Sequence, residues 1–247
     1  MVLNGTSGTY VSLPGNLLAG LTNVTVEAWL TNAVSPDNVP LFSFDDGLQD
    51  GVGGGYLRFV LHDQSNGRNF LELASVGGSP KLTANPGLGG QYVHVVCIYS
   101  PPTGAAVIYT NGALEGTLAV STALTNVSAN AAALGRSPWS SDPWVNGAID
   151  EFRIYAGQLL PADIAAAQAV GPNVLLSKNV WLAVSQGSVA LTLSWPVASS
   201  GFMLQSSPSL GANTLWTTVT NGMATVGASN QIVILPTNTA MFFRLLR

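Results

Sequence analysis

Short apolar segments, rich in β-branched and aromatic residues, alternate along this chain with clusters of Gly, Pro, Asn and Ser. This alternation is typical of all-β folds, because each cluster of turn residues ends one short strand before the next begins. Residues 24–29, Val-Thr-Val-Glu-Ala-Trp, have a period of two, which predicts a strand with one buried and one solvated face. The candidate strands of the first half are 10–13, 24–30, 41–45, 56–61, 70–74, 92–99, 105–110, 131–134 and 147–155.

Two local patterns add detail to this architecture. The segment Thr110-Asn111-Gly112-Ala113 predicts a β-hairpin, because Asn-Gly supplies the positive φ angles of a type I′ turn. Residues 160–170 are rich in Ala, with Pro161 in the first turn, and Gly171-Pro172 follow them. This pattern predicts one short helix that closes the first domain.

A second module follows the helix. Residues 174–181 are either a connector or a first strand, and further short strands occur at regular spacing with turn residues between them. That spacing predicts a small β-sandwich. We therefore predict a large β domain over residues 1–172, a boundary near residues 171–178, and a small sandwich over residues 178–247. The candidate strands of the small sandwich are 189–195, 202–206, 216–219, 231–235 and 241–245.

Charge is scarce in this sequence, at 8% of residues with a net charge of −4, while hydrophobic residues make up 47%. The absence of a Lys/Arg cluster argues against nucleic acid as a partner, and no apolar run is long enough to predict a membrane-spanning helix. A surface of Ser, Thr, Asn and Gly is common in exported bacterial β proteins. We expect an extracellular or cell-surface protein, although the start MVLNGTSGTY lacks the features of a signal peptide.

Residues typical of nucleophilic or metal catalysis are few. Cys97 is the single cysteine and lies in an apolar segment, which predicts a buried, inert thiol and excludes a disulfide scaffold. His94 lies between Val93 and Val95, and we interpret it as a half-buried sheet histidine that is hydrogen-bonded across strands. His62 has no second histidine at the spacing of metal ligands.

Several segments, in this order and spacing, resemble the laminin-G-like domains of the concanavalin A-like lectin/glucanase superfamily. The resemblance covers about residues 1–172 and implies a jelly roll of two antiparallel sheets. Such domains usually begin with one or two strands before the position of Leu3, and this chain starts without them. The segments that carry the resemblance are Leu3-Asn4-Gly5, Tyr10-Val11, Val26-Glu27-Ala28-Trp29, Tyr92-Val93-His94-Val95-Val96, Tyr109-Thr110-Asn111-Gly112, Leu134-Gly135-Arg136-Ser137 and GAIDEFRIY at 147–155.

The last part of the chain has a separate resemblance. The segments LSWP at 193–196, GFMLQS at 201–206 and FFRL at 242–245, together with Trp216, are similar to a small β module that ends some exported bacterial proteins. The role implied for that module is accessory. We therefore expect that other modules of a larger parent protein are among the partners.

The first resemblance also implies a structural Ca²⁺ site. Jelly-roll domains of this kind often hold the ion by a carboxylate at the position of Asp150 and by main-chain carbonyls near Asn4 and Gly5. Calcium takes six to eight oxygen ligands and tolerates carbonyls, so a loop beside an aspartate at a strand end suits it. The alternative for Asp150 is a hydrogen-bonded turn or an ion pair with Arg153.

Glycosidases of this superfamily place carboxylates two residues apart on one strand, because only such residues share a face. No candidate strand contains such a pair, and Asp150 and Glu151 are adjacent. We therefore expect a non-catalytic module that binds a polysaccharide or another glycan. Two alternatives stay open, which are a glycoside hydrolase with carboxylates carried by loops and an adhesion module that binds protein.

Two loops are candidates for the sugar site, because sugars stack on Trp or Tyr while amides and carboxylates bind the hydroxyl groups. The first loop, residues 136–144, contains Trp139 and Trp144, and we expect at least one of them to be exposed and to contact the ligand. The second loop, residues 45–56, is rich in glycine. The candidate ligand-binding residues are Trp139, Trp144, Arg136, Asp45, Asp46 and Tyr56.

Overall fold

A computed structural model describes residues 1–32, 38–47, 55–63, 65–75, 79–84, 87–175, 182–196, 202–211, 214–227, 229–235 and 240–246. The chain divides into two compact units, Met1–Leu160 and Pro161–Arg247. Within the described ranges, no helix has both the length and the apolar character needed to cross a membrane.

The first unit consists of two antiparallel sheets. The first sheet has the strand order β1-β12-β3-β8-β9-β10 and the second has the order β2-β11-β4-β5-β6-β7. The all-β sandwich predicted from the sequence is therefore confirmed. The strands are β1 (Val2–Asn4), β2 (Val11–Leu13), β3 (Val24–Asn32), β4 (Pro40–Asp45), β5 (Tyr56–Val60), β6 (Asn69–Ala74), β7 (Lys81–Ala84), β8 (Tyr92–Ser100), β9 (Ala105–Thr110), β10 (Ala113–Ala119), β11 (Ala131–Leu134) and β12 (Asn146–Ala156).

One continuous apolar core contains side chains from both sheets. Alternate residues of most strands enter it, for example Val26 and Ala28 of β3 and Phe42 and Phe44 of β4. Residues between these point to the outer face of their own sheet, since neighbouring side chains of a strand project to opposite sides. Cys97 lies in this core, where burial raises the pKa of its thiol well above the usual value. The prediction of a buried thiol is confirmed.

The prediction of a half-solvated β3 is wrong. Its outward side chains Thr25, Glu27 and Trp29 are as buried as its core residues. Part of the cover comes from the chain that follows β12. The Thr25 hydroxyl donates to the Gly157 carbonyl at 2.8 Å and accepts from the Leu159 amide at 3.1 Å, so this segment crosses the outer face. An alternating pattern identifies the strand but does not reveal a later segment that covers its polar side.

The predicted turn and helix are both present. Asn111 and Gly112 have φ angles of 50° and 78° and connect β9 to β10, as a type I′ hairpin requires. The helix α1 spans Pro161–Val170, and Gly171 follows it with a φ of 78° and an amide bonded to the Ala167 carbonyl. A glycine in this left-handed conformation is a common helix end.

The second unit contains α1 and two small sheets, with the strand orders β13-β14-β18-β17 and β16-β15-β19. Its sheets share a small buried core that contains Leu193, Trp195, Leu204 and Ile232. The boundaries at residues 172 and 178 stay predictions, since residues 176–181 lie outside the described residues. The strands are β13 (Ala183–Gln186), β14 (Leu191–Pro196), β15 (Met203–Ser207), β16 (Thr217–Thr218), β17 (Met223–Val226), β18 (Ser229–Ile234) and β19 (Phe242–Leu246).

Candidate functional site

A polar cluster occupies the outer face of the second sheet. Tyr56 and Arg58 are two positions apart on β5 and share this face, while the intervening Leu57 enters the core. Glu72 of β6 lies beside Arg58, because the two residues are direct partners in the ladder. The chain from residue 135 to residue 145, which we call the β11–β12 loop, contributes the remaining members.

Arg58 is the hub of this cluster. Its Nε donates to Glu72 Oε2 at 2.9 Å, and one terminal nitrogen donates to Asp142 Oδ2 at 3.0 Å and to Ser137 Oγ at 3.2 Å. The Tyr56 hydroxyl also donates to Glu72 Oε2, at 3.2 Å, and the guanidinium lies 5.3 Å from the Tyr56 ring centre. One guanidinium therefore ties two strands and the β11–β12 loop together.

The phenol of Tyr56 is a hydrogen-bond donor in this arrangement. Burial, together with the neighbouring Glu72 carboxylate, raises the pKa of Tyr56 above its ordinary value of 10.0. The hydroxyl therefore keeps its proton at neutral pH and remains bonded to the carboxylate.

A second ion pair fixes the start of the β11–β12 loop. Arg136 lies 3.6 Å from Asp45 Oδ1, and Asp45 is buried. The Ser43 hydroxyl bridges the two residues, since it donates to Asp45 Oδ2 at 2.9 Å and contacts the Arg136 carbonyl at 3.0 Å. The guanidinium also stands over the Tyr10 ring, 5.1 Å from its centre. The loop is thus attached to the sheet by two arginine–carboxylate contacts.

The two loop tryptophans lie against different aromatic partners. Trp139 meets Tyr56 edge to face with ring centres 6.4 Å apart, and Trp144 packs on Tyr10 at 5.5 Å. Both tryptophans are half-buried, so the expectation that at least one would be exposed is wrong. The reason is that each ring packs against a tyrosine, which is Tyr56 of β5 for Trp139 and Tyr10 just before β2 for Trp144. Each still presents part of its surface to solvent.

The predicted ligand-binding residues thus form two connected pairs. Arg136 contacts Asp45 and Trp139 contacts Tyr56, while Asp46 is half-buried at the turn after β4. Most of the loop 45–56, from residue 48 to residue 54, lies outside the described residues. Whether these residues bind a ligand stays a prediction.

Sequence reasoning missed the centre of the cluster. Arg58, Glu72, Ser137 and Asp142 were not among the predicted site residues. Two of them lie on predicted strands, and a charged side chain inside a strand is unusual in a chain with 8% charged residues. That feature was available from the sequence. The pairing of Arg58 with Asp142 was not, because 84 positions separate them.

The residues predicted to hold calcium do not form one site. The strand register places Asn4 opposite Asn146, four residues from Asp150 and about 13 Å away at about 3.3 Å per residue. The Asn4 Oδ1 accepts hydrogen bonds from Thr6 and Thr9. Across the described part of the chain, no three His, Cys, Asp or Glu side chains are grouped as metal ligands. These residues do not fit a bound calcium ion.

Asp150 has a different partner from those expected. The strand register shifts between Ile149 and Glu151, and Asp150 is the extra, exposed residue at this irregularity. The Tyr92 hydroxyl donates to its Oδ2 at 3.0 Å. Burial and this hydrogen bond raise the pKa of Tyr92 to about 12. The expected ion pair with Arg153 is wrong, because Arg153 turns to Glu27 and Glu151 instead.

A second cluster of similar chemistry lies on the outer face of the first sheet. Glu27 accepts from the Tyr155 hydroxyl at 2.6 Å, contacts His94 Nε2 at 3.0 Å and lies 3.5 Å from Arg153. His94 stacks on Trp29 with ring centres 4.1 Å apart. The predicted cross-strand hydrogen bond of His94 is confirmed, although the ring is fully rather than half buried. The Glu27 carboxylate at the centre of this cluster is closed to solvent.

A family model and several solved structures are similar to this chain. A family model, Laminin_G_3 of the Concanavalin A-like lectin/glucanases superfamily, matches residues 4–165. Domain 4 of AbnA, a GH43 extracellular arabinanase from Geobacillus stearothermophilus solved with arabinotriose, is 25% identical with a TM-score of 0.54, over 66% of this chain and 73% of that chain. No curated protein matches the sequence.

Two further solved structures share the fold. The CBM40 of the Ruminococcus gnavus IT-sialidase, solved with α2,3-sialyllactose, is 16% identical with a TM-score of 0.56, over 68% of this chain and 95% of that chain. The NanB sialidase of Streptococcus pneumoniae is 16% identical with a TM-score of 0.56, over 79% of this chain and 33% of that chain.

Proposed function

The chain belongs to the concanavalin A-like lectin/glucanases superfamily, and from this premise we propose that it is a non-catalytic carbohydrate-binding module that acts outside the cell. The observation that carries the proposal is the cluster on the second sheet. It combines the half-buried Trp139, the buried Tyr56, two carboxylates and an arginine on a rigid sheet, and sugar sites use such combinations of aromatic and polar groups. The arabinotriose-bound arabinanase domain, at 25% identity, supports the same ligand class.

The proposed roles within the cluster follow from exposure. Trp139 is half-buried, and we assign it to stacking on the sugar, while Glu72 and Asp142 each retain one carboxylate oxygen that Arg58 does not use. Asp45 is buried and Arg136 is paired with it, so we assign these two residues to positioning the loop. A loop held in this way loses little conformational freedom when it binds a ligand.

The geometry disfavours hydrolysis. A glycosidase holds two carboxyl groups on either side of the scissile bond, about 5–10 Å apart, with the sugar between them. Here the guanidinium of Arg58 fills the space between Glu72 and Asp142. A substrate bond between these two carboxylates would have to displace the arginine.

The test is a glycan array with the full chain, followed by calorimetry and product analysis of each glycan that binds. We expect binding without release of reducing ends. Release of reducing ends would establish the hydrolase instead. Binding to no glycan would overturn the proposal and favour an adhesion module that binds protein.

Trp139→Ala tests the position of the site. It should weaken glycan binding by about 1–3 kcal/mol while the melting temperature changes little, as is typical of a stacking aromatic residue at a binding surface. Trp216→Ala is the matched control, because Trp216 is a half-buried tryptophan of the second unit. Equal binding by wild type and Trp139→Ala would show that the sugar site lies elsewhere.

A further inference from the structure

The charged side chains of the first unit carry information about the kind of glycan. The first 160 residues contain five Lys or Arg residues, and four of these are paired with carboxylates. The pairs are Arg58 with Glu72 and Asp142, Lys81 with Asp63, Arg136 with Asp45, and Arg153 with Glu27 and Glu151. The fifth, Arg68, is exposed in the turn before β6, four residues from Glu72 along the chain. Four of the five cations of this unit are therefore already paired with carboxylates of the protein.

The carboxylates of the cluster, in contrast, keep acceptor capacity. Both hydrogen bonds to Glu72 use Oε2, and both hydrogen bonds to Asp142 use Oδ2. The side chains of these two residues are 15% and 12% exposed. Each thus turns one oxygen towards Arg58 and retains another, and an ionised carboxylate accepts hydrogen bonds but donates none. These two oxygens favour a ligand that supplies donors.

The net charge of the first unit is also negative. Eleven Asp and Glu residues stand against five Lys and Arg residues in the first 160 positions. An anionic glycan would approach a surface of its own charge, and like charges brought together at an interface oppose binding. A neutral sugar meets no such barrier, and its hydroxyl groups are the donors that the carboxylates need.

We infer that the ligand of this face is a neutral oligosaccharide, recognised through hydroxyl groups that donate to Glu72 and Asp142, and that glycans bearing carboxylates are rejected. The inference rests on the proposed function and narrows it. In other sugar sites, an unpaired arginine can bind the carboxylate of a sialic acid or a uronic acid. We expect no such contact at this face.

Matched polysaccharides test the charge preference. Polygalacturonan is compared with its carboxyl-reduced form, in which each carboxylate has become a hydroxymethyl group on the same backbone, and sialyllactose is compared with lactose. These four probes accompany the neutral glycans of the array. We expect every ligand found to be neutral, and the neutral member of a pair to bind at least about tenfold more tightly, with little dependence on salt because no ion pair forms.

The results of this comparison show whether the charge preference alone fails or carbohydrate binding fails as well. An acidic glycan that binds as tightly as its neutral counterpart overturns the inference and leaves carbohydrate binding intact. Binding to no glycan of either kind overturns the proposed function and the inference with it. Binding of neutral glycans with rejection of their acidic counterparts supports both.

A variant pair tests the acceptor role. Asp142→Asn keeps the shape of the side chain but replaces a charged acceptor, and it should weaken binding of the neutral glycan about tenfold, as expected for a hydrogen bond to a charged group. Glu115→Gln removes the same charge from a half-buried position on β10 of the other sheet. Thermal melting of both variants establishes that they fold. Equal effects of the two substitutions on affinity would overturn the acceptor role.

Discussion

The two outer faces of the sandwich carry similar sets of side chains in different surroundings. On the first sheet, which we call the closed face, Glu27 meets Arg153, Tyr155, Trp29 and His94. On the second sheet, the open face, an arginine, a carboxylate, a tyrosine and a tryptophan again come together, as Arg58, Glu72, Tyr56 and Trp139. The side chain of Glu27 is 0% exposed and that of Glu72 is 15% exposed.

The difference lies in how the acceptors are used. Both oxygens of Glu27 have partners within the protein, since Oε1 contacts His94 and Oε2 contacts Tyr155 and Arg153. On the open face both contacts of Glu72 fall on one oxygen. A buried carboxylate with both oxygens partnered stabilises the fold, whereas a partly exposed carboxylate with one unpartnered oxygen has capacity for a ligand. Similar residue sets therefore have different consequences on the two faces.

Removal of the central carboxylate should give the largest contrast. Glu27→Ala leaves buried partners, above all Arg153, without their charge complement, and we expect a loss of about 3–5 kcal/mol in the free energy of unfolding. Glu72→Ala on the open face should cost less, about 1–2 kcal/mol, because the Arg58 side chain is partly exposed and Asp142 still pairs with it. Chemical denaturation of both variants measures the two values. Similar losses on both faces would contradict the assignment of different roles.

The two tyrosines that donate to these glutamates, Tyr155 and Tyr56, can each be replaced by Phe. The expected losses of stability are smaller, and the two substitutions are more closely matched. Tyr155 donates to Glu27 at 2.6 Å, and burial, together with the bond to Glu27, raises the pKa of Tyr155 far above its ordinary value. Tyr155→Phe removes this donor from a closed site and should cost about 1–3 kcal/mol of stability. Tyr56→Phe removes a 3.2 Å bond at the open face and should cost less stability. In calorimetry, only Tyr56→Phe should alter glycan affinity.

If Tyr56→Phe binds the glycan as tightly as wild type and Tyr155→Phe does not, the roles that we assign to the two faces are reversed. That result would move the proposed site to the first sheet. Melting curves recorded beside the titrations show whether any loss of binding comes from loss of fold.

The contrast between the faces also marks the limit of what the sequence predicts. Strand positions were predictable, because alternation and turn residues are local properties, and the Asn111-Gly112 turn follows from two residues alone. The burial of Glu27 was not, because its partners Tyr155 and Arg153 lie on β12, more than a hundred positions later. The same applies to Arg58, whose contact with Asp142 depends on the path of the β11–β12 loop. Local sequence patterns therefore predict strands and turns, whereas contacts between distant residues determine which polar face remains partly exposed to solvent.

The smallest expected effect concerns the side of the open face formed by β7. Lys81 of this strand donates to Asp63 at 2.6 Å, and its ammonium group stands 3.8 Å from the centre of the Phe70 ring. Burial acts to raise the pKa of Asp63, but hydrogen bonds from Lys81 and Ser65 outweigh it and lower the pKa to about 2. Since the folded state holds this pKa below the ordinary value of 3.8, Asp63 stabilises the fold above about pH 4.

This contribution should disappear as the pH falls from about 4 to about 2, where Asp63 becomes protonated in the folded state as well. Lys81→Met keeps an unbranched apolar side chain at this position and removes the donor, so the variant should lose less stability than wild type over the same interval. The difference should be below about 1 kcal/mol, because Lys81 is partly exposed and solvent screens the pair. Denaturation curves at pH 5 and pH 2 measure it, and the carboxylates common to both proteins cancel in the comparison. If the stability of the two proteins falls in parallel with pH, solvent already screens the Lys81–Asp63 pair completely. The Glu27–Arg153 pair on the closed face is buried and has no such access to water.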